Sequence, residues 1–338
     1  MTLDPLAVTI IEALIKSIVI VVALLTGFAY LTLMERYVVA HVQSRVGPNR
    51  VGRVFGIAAL QPIADAIKMI FKEDFIPAKA DKFLYILAPG VAVGTALLAW
   101  AVIPINPPLT ILGYPVTFQI ADVNVAVLYL LAIGSLSVYG IVLGGWSANN
   151  KYSLLGALRS TAQLVSYEIS LGLAFVGVLM VSGTLSLTQI VQQQSQVWNV
   201  VWQPVGFVIY FVTALAETNR LPFDLPEAET ELVAGYQTEY SSLKFALFYM
   251  AEYINIMTVS AVASTMFLGG YQGPFGIFPG VHWLLIKMLV IIFIFMWIRA
   301  TLPRFRYDQL MSFGWKVLLP LALANVFVTA VVLVLIGK

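Results

Sequence analysis

No cysteine occurs in the 338 residues, and only two histidines do. Without a thiol the chain can form no disulfide, hold no iron–sulfur cluster through thiolates and attach no haem through a Cys-x-x-Cys-His motif. Charge is also scarce: Asp, Glu, Lys and Arg make up 11% of the residues, against 60% hydrophobic, and the mean hydropathy is +0.91. The length would permit two soluble domains, but this composition is that of an integral membrane protein. Asp4 and Glu12 precede Lys16, so the start lacks the basic stretch and small-residue cleavage site of a secretory signal, and the first apolar run is expected to be retained. No internal repeat is evident, which disfavours transporters built from duplicated halves.

What is present is a series of apolar runs near twenty residues. They predict eight transmembrane helices, over Ala13–Met34, Phe83–Ile103, Val123–Leu143, Ala162–Val181, Val197–Ala216, Phe245–Leu268, Val281–Ile298 and Val317–Ile336. Runs this continuous favour helices over the alternating strands of a barrel, because every backbone polar group must be satisfied within the segment. The fold expected is an all-α integral membrane protein, a single membrane domain over residues 1–338. Between Phe55 and Lys72 the polar residues Gln61, Asp65, Lys68 and Lys72 recur at four, three and four residues among Leu60, Ile63, Ile67, Ile70 and Phe71. That pattern predicts an interfacial amphipathic helix, with Pro62 in its first turn or at a kink.

Lys and Arg set the orientation. All of the 19 except Lys16, Lys287 and Lys338 fall in four connections, 35–82, 144–161, 217–244 and 299–316, whereas Pro104–Asp122, Ser182–Gln196 and Gly269–Gly280 have none. The basic connections are therefore expected inside and both termini outside. His41 and His282 then lie on opposite sides and cannot share a haem, so electrons must be carried by a partner. Lys16 and Lys287 fall near outer helix ends, where anchoring by snorkelling is expected. The glycines at 269, 270, 273 and 276 with Pro274 are read as a turn.

Against this apolar background, Glu217, Asp224, Glu227, Glu229, Glu231 and Glu239 gather around one base, Arg220. A solvated acidic loop is the plain reading; the sharper one is a site that handles protons or cations. Asp224-Leu225-Pro226-Glu227 reads as the capped start of a short helix that would put Glu227 and Glu231 on one face. Glu168 and Glu252 fall inside predicted spans, both ~10 Å from the inner face at 1.5 Å per residue. Carboxylates at that depth are costly unless paired, hydrated or protonated, which suits proton exchange, with interhelical pairing as the structural alternative. Tyr249 and Asn255 share the face of Glu252. A Gly- and Pro-bearing turn, Gln43 to Arg53, carries Arg45, Arg50 and Arg53, suited to lipid head groups or to a docking surface.

Several strings resemble one family across essentially the whole chain: Glu35-Arg36, the Arg45–Gly52 turn, Phe71-Lys72-Glu73-Asp74, Asn150–Gly156, Pro222–Glu229, Gly235-Tyr236, Glu239-Tyr240-Ser241, Arg299–Arg304 and Arg306–Gln309. They resemble the membrane subunit called H, or 1, of proton-pumping NADH:quinone oxidoreductase, respiratory complex I. The resemblance implies a subunit at the heel of the membrane arm that forms most of the quinone tunnel and couples quinone reduction to proton translocation. It implies no cofactor on this chain, quinone as substrate, and FMN and Fe–S clusters on partner subunits. Partners would be the peripheral-arm quinone-site and Fe–S subunits, small membrane subunits toward the antiporter-like arm, and lipid, with no nucleic acid, in a bacterial plasma membrane. Carried over by motif, Arg36, Asp65, Glu35 and Glu217 would serve the quinone tunnel. Glu217, Glu227, Glu229, Glu231, Glu168 and Glu252 would form a proton path, and Arg45, Arg50 and Arg53 a docking loop. The third predicted span has no carboxylate, although some relatives place one there, which leaves the path beyond Glu168 open. Alternatives are the corresponding subunit of a membrane-bound hydrogenase or of a dehydrogenase with another electron donor, and a stand-alone cation or proton transporter.

Overall fold

The computed structural model describes residues 5–54, 57–111, 114–225 and 233–337. Among the described residues the regular structure is helical apart from two small antiparallel hairpins, β1 (Arg53–Val54) with β2 (Ile57–Ala58) and β3 (Leu109–Ile111) with β4 (Tyr114–Val116). The helices among the described residues are α1 (Pro5–Val42), α2 (Gln61–Phe71), α3 (Lys82–Leu98), α4 (Ala126–Ser147), α5 (Lys151–Ser182), α6 (Leu187–Gln193), α7 (Asn199–Trp202), α8 (Pro204–Glu217), α9 (Ser242–Phe267), α10 (Val281–Thr301), α11 (Tyr307–Phe313) and α12 (Leu319–Ile336). Seven are long and apolar enough to cross a bilayer, with 307–336 counted as one helix through a π-turn at Gly314–Leu318; Pro204–Glu217 is shorter.

The long helices outrun the predicted spans. α1 has 38 residues and α5 has 32, so at 1.5 Å per residue they reach ~57 and ~48 Å, beyond a hydrocarbon core of ~30 Å. Two predicted inner connections shrink accordingly: α1 continues to Val42, and only 148–150 separate α4 from α5. A hydropathy window stops where charge begins, whereas a helix continues until something caps it. Asn150 does that for α5, its side chain accepting from the Tyr152 amide at 3.0 Å. The interfacial helix begins at Gln61 rather than near 55. Pro62 in the first turn needs no N–H partner there, and its ring would clash with the carbonyl four residues earlier in a longer helix.

α9 is the most enclosed of the long helices, and α1 and α12 are the most peripheral. α3 packs along α4, where a Cβ on Gly140 would stand 2.9 Å from the Ala92 backbone nitrogen. Only glycine permits that approach. α5 lies against α4, α8 and α12, while α9 contacts α3, α10, α1 and α2. Lys287 departs from expectation. It is 7% exposed, and its ammonium donates to the carbonyls of Leu268, Gly270 and Gln272 at 2.6, 2.9 and 2.6 Å while lying over the Trp198 ring. Carbonyls orphaned where α9 ends need donors, and a buried ammonium supplies three, so Lys287 pins this turn instead of snorkelling.

Candidate functional site

α1, α2 and α9 enclose a cleft of about 930 Å³. Its apolar wall includes Phe28, Val39, Met69, Phe245, Tyr249 and Met250, and its charged end is formed by Glu35, Arg36, Asp65 and Arg299. α2 stands at the cleft through Pro62, Asp65, Ala66 and Met69 and leaves Ile63, Ile67 and Phe71 exposed. The Ser242 hydroxyl ties it to α9 by donating to the Met69 carbonyl at 2.9 Å. Arg36 pairs with Asp65 at 2.7 Å across the α1–α2 gap, and Gln61 donates to the other Asp65 oxygen at 3.0 Å.

Glu35 is next to Arg36 in sequence but turns into the protein and is 7% exposed. Arg220 donates to both of its oxygens at 2.9 and 3.0 Å, the Tyr253 hydroxyl donates at 2.8 Å, and Arg299 forms a further ion pair with it. Arg220, 5% exposed, also pairs through Nε with Glu252 at 2.5 Å and stacks its guanidinium 4.5 Å from the Tyr253 ring centre. Burial works against the charge on Arg220, and Glu252 and Tyr253 more than restore it, so the guanidinium titrates above the usual arginine range. Two guanidiniums thus face two carboxylates in a nearly closed, charge-balanced group.

Beyond Glu252 lie two adjoining cavities. The first, about 40 Å³, is lined by Glu252, Glu217, Thr218, Asn219, Ser137 and Asn255 among others. The second, about 60 Å³, shares Glu217, Ser137 and Asn255 and adds Glu168, Thr95 and Thr258. One water needs roughly 10–15 Å³ of such space, so each cavity has room for a few, and the polar lining suits them. Glu217, the last residue of α8, faces both. A Cβ on Gly134 would stand 3.4 Å from its carboxylate, so this glycine keeps open space between α4 and Glu217. Glu168 on α5 accepts a hydrogen bond from Ser135 of α4.

A family model described as NADH dehydrogenase matches residues 15–330. The chain belongs to the NADH dehydrogenase family. It is 54% identical to the H subunit of NADH-quinone oxidoreductase from Protochlamydia amoebophila, with 90% of this chain and 92% of that protein covered. The same identity holds for the H subunit from Thermomicrobium roseum, over 91% and 92%. The H subunit numbered 1 from Geobacter metallireducens is 51% identical over 98% of this chain and all of that protein.

In this NADH dehydrogenase family chain the residues singled out from sequence separate into groups. Glu35, Arg36 and Asp65 line the cleft, as does Arg45, whose Nε donates to Gln43. Arg50 is exposed, and Arg53 lies in β1. Glu217 is absent from the described lining of the cleft and belongs to the inner cavities. Glu168 and Glu252 do not share one chamber; Glu217 stands between theirs. Among the described members of the acidic cluster, Asp224 pairs with Arg304 at 3.2 Å and Glu239 accepts from Asn150 at 2.6 Å, away from Glu217. Glu227, Glu229, Glu231 and the short helix expected after Asp224 lie outside the described residues. Sequence reading gave no role to Arg299, Tyr253 or Ser135 and treated Arg220 only as the lone base of the cluster. The available signal for Arg220 was its isolation, since one base among many acids has carboxylates to answer.

Proposed function

We propose that this chain acts as the membrane subunit of a proton-translocating NADH-quinone oxidoreductase, receiving the quinone in the cleft between α1, α2 and α9. The observation that carries this reading is the continuity of polar groups from the cleft through Arg220 to two cavities holding Glu217 and Glu168. The apolar walls suit an isoprenoid quinone, and Arg36, Asp65 and Glu35 suit its carbonyl end. In this reading, as the family resemblance implies, electrons from NADH arrive through FMN and Fe–S groups on peripheral partners. Reducing quinone to quinol consumes two electrons and two protons. The proton demand changes the charge at the cleft, and in a low-dielectric interior that change is felt at Glu252, Glu217 and Glu168. Glu227, Glu229 and Glu231 belong to the same route in this reading. Ser135 continues it past Glu168, on a helix without a carboxylate.

The proposed setting is a single domain crossing a bacterial plasma membrane eight times with both termini outside. Seven long helices, the shorter α8 and the crowding of Lys and Arg into four connections support it. The turn bearing Arg45, Arg50 and Arg53 is the proposed docking loop for the peripheral partners; Arg45 lines the cleft, and α2 leaves an apolar face exposed. Small membrane subunits toward the antiporter-like arm complete the set.

Glu168→Gln in the assembled complex tests the coupling. Inhibitor-sensitive NADH:quinone activity and proton uptake into inverted membrane vesicles are measured together, with NADH:ferricyanide activity reporting assembly. Fewer protons moved per NADH is expected. An unchanged ratio with normal turnover would count against the reading.

A further inference from the structure

We infer that Arg220 is a proton barrier, a positioning group that lets charge be felt between cleft and inner cavities while stopping protons from crossing. This role rests on the function proposed above and addresses what that function needs. A continuous row of carboxylates and water from a quinone cleft to inner cavities would leak, since protons would run down their gradient whether or not electrons flowed. Arg220 stands where such a row would close. Glu35, on its one side, lines the cleft, and Glu252, on its other, lines the smaller inner cavity.

A guanidinium offers five N–H donors and no acceptor and does not deprotonate in proteins, so it cannot take a proton from one carboxylate and pass one to the other. Its charge also repels an arriving proton, and Arg299 beside Glu35 adds to that field. Each of the two carboxylates is ion-paired with the same guanidinium. The next cavity differs, for Glu217 and Glu168 share it with no Lys or Arg among its described lining residues. This places proton exchange in the cavity of Glu217 and Glu168, on the far side of Arg220 from the cleft. Glu35 and Glu252 relay a field: a change of charge in the cleft alters how strongly Glu35 holds Arg220 and so how strongly Arg220 holds Glu252, and the shift reaches the inner pair without a proton having passed.

Passive proton flux distinguishes this role from a structural one. The purified complex is reconstituted in liposomes without NADH, a pH gradient is imposed, and its decay is followed with an enclosed pH dye. Arg220→Gln should discharge the gradient several-fold faster than the unmodified complex and move fewer protons per NADH when turning over, because Glu35 and Glu252 can then share a proton. The double variant Arg220→Gln/Glu252→Gln lacks the same guanidinium, keeps Glu35 balanced by Arg299 and removes the inner carboxylate, so its liposomes should be tight. A tight Arg220→Gln, or equal leaks in single and double variants, would overturn the barrier. Should Arg220→Gln fail to assemble, Arg220→Lys carries the test, because a buried ammonium can release its proton; it should leak, and tightness overturns the role. Glu168→Gln is measured alongside. Normal pumping there removes the coupling reading itself, whereas lost pumping there beside a tight Arg220→Gln removes only the barrier.

Discussion

Glu35 and Arg36 are neighbours in sequence, yet their ion pairs differ in kind. Arg36 and Asp65 keep about half and a quarter of their side chains exposed, so their pair contributes at most ~1 kcal/mol to stability. Glu35 is enclosed with two guanidiniums and a phenol. Removing a partner from such a group leaves an uncompensated buried charge and costs ~3–5 kcal/mol. Opposite outcomes are expected. Arg36→Gln should leave the amount of assembled complex on a native gel unchanged while raising the KM for quinone more than it lowers kcat. Glu35→Ala should reduce assembled complex sharply, and equal yields of the two variants would contradict the burial argument. Little of this was legible in the sequence. Glu35 and Arg220 lie 185 residues apart, and which face of α1 meets the segment that follows α8 is decided by helix rotation and packing, which a hydropathy profile does not carry.

At the scale of elements the sequence is more readable, because a bilayer-crossing helix is recognised by its own apolar run without reference to neighbours. The runs at 83–103, 123–143 and 245–268 coincide closely with α3, α4 and α9. Ends were harder to read, for α1 and α5 continue into charged segments that caps and tertiary contacts keep helical. Packing contributes information of another sort at glycines. Gly140 lets α4 meet the α3 backbone, whereas a Cβ on Gly172 of α5 would meet nothing within 4 Å. Overpacking costs ~1–3 kcal/mol or more, while alanine in place of an open helical glycine gains up to ~1 kcal/mol. Gly140→Val should therefore lower the thermal stability of the complex, and Gly172→Ala should leave it unchanged or raised. Thermal inactivation of NADH:quinone activity reads both, and tolerance of Gly140→Val would mean that α3 and α4 do not pack as closely as described.

For the whole molecule, the number of crossings turns on α8. Its 14 residues reach ~21 Å, short of a hydrocarbon core, but α7 begins at Asn199, and the stretch from there to Glu217 approaches ~28 Å if the break at Gln203 stays nearly straight. Gln203 itself is buried and bonds Thr329 and Asn325 of α12 at 2.7 and 2.9 Å, so the break is held inside protein, where irregular backbone is tolerated. An even number of crossings puts both termini on one side, and an odd number separates them. The absence of native cysteine makes this measurable on this chain, since an introduced thiol is the one thiol the label can find on its own gel band. Gln43, Gln193 and Val233 are exposed, the second before α8 and the third after it. With single cysteines at these positions in sealed, right-side-out vesicles, a membrane-impermeant maleimide should label Gln193→Cys from outside. It should reach Gln43→Cys and Val233→Cys only after the vesicles are opened. Labelling of Val233→Cys on the same side as Gln193→Cys would mean that α8 does not cross. Glu217 would then sit at a surface rather than between two enclosed cavities, and the route from Glu252 to Glu168 would lose its middle member.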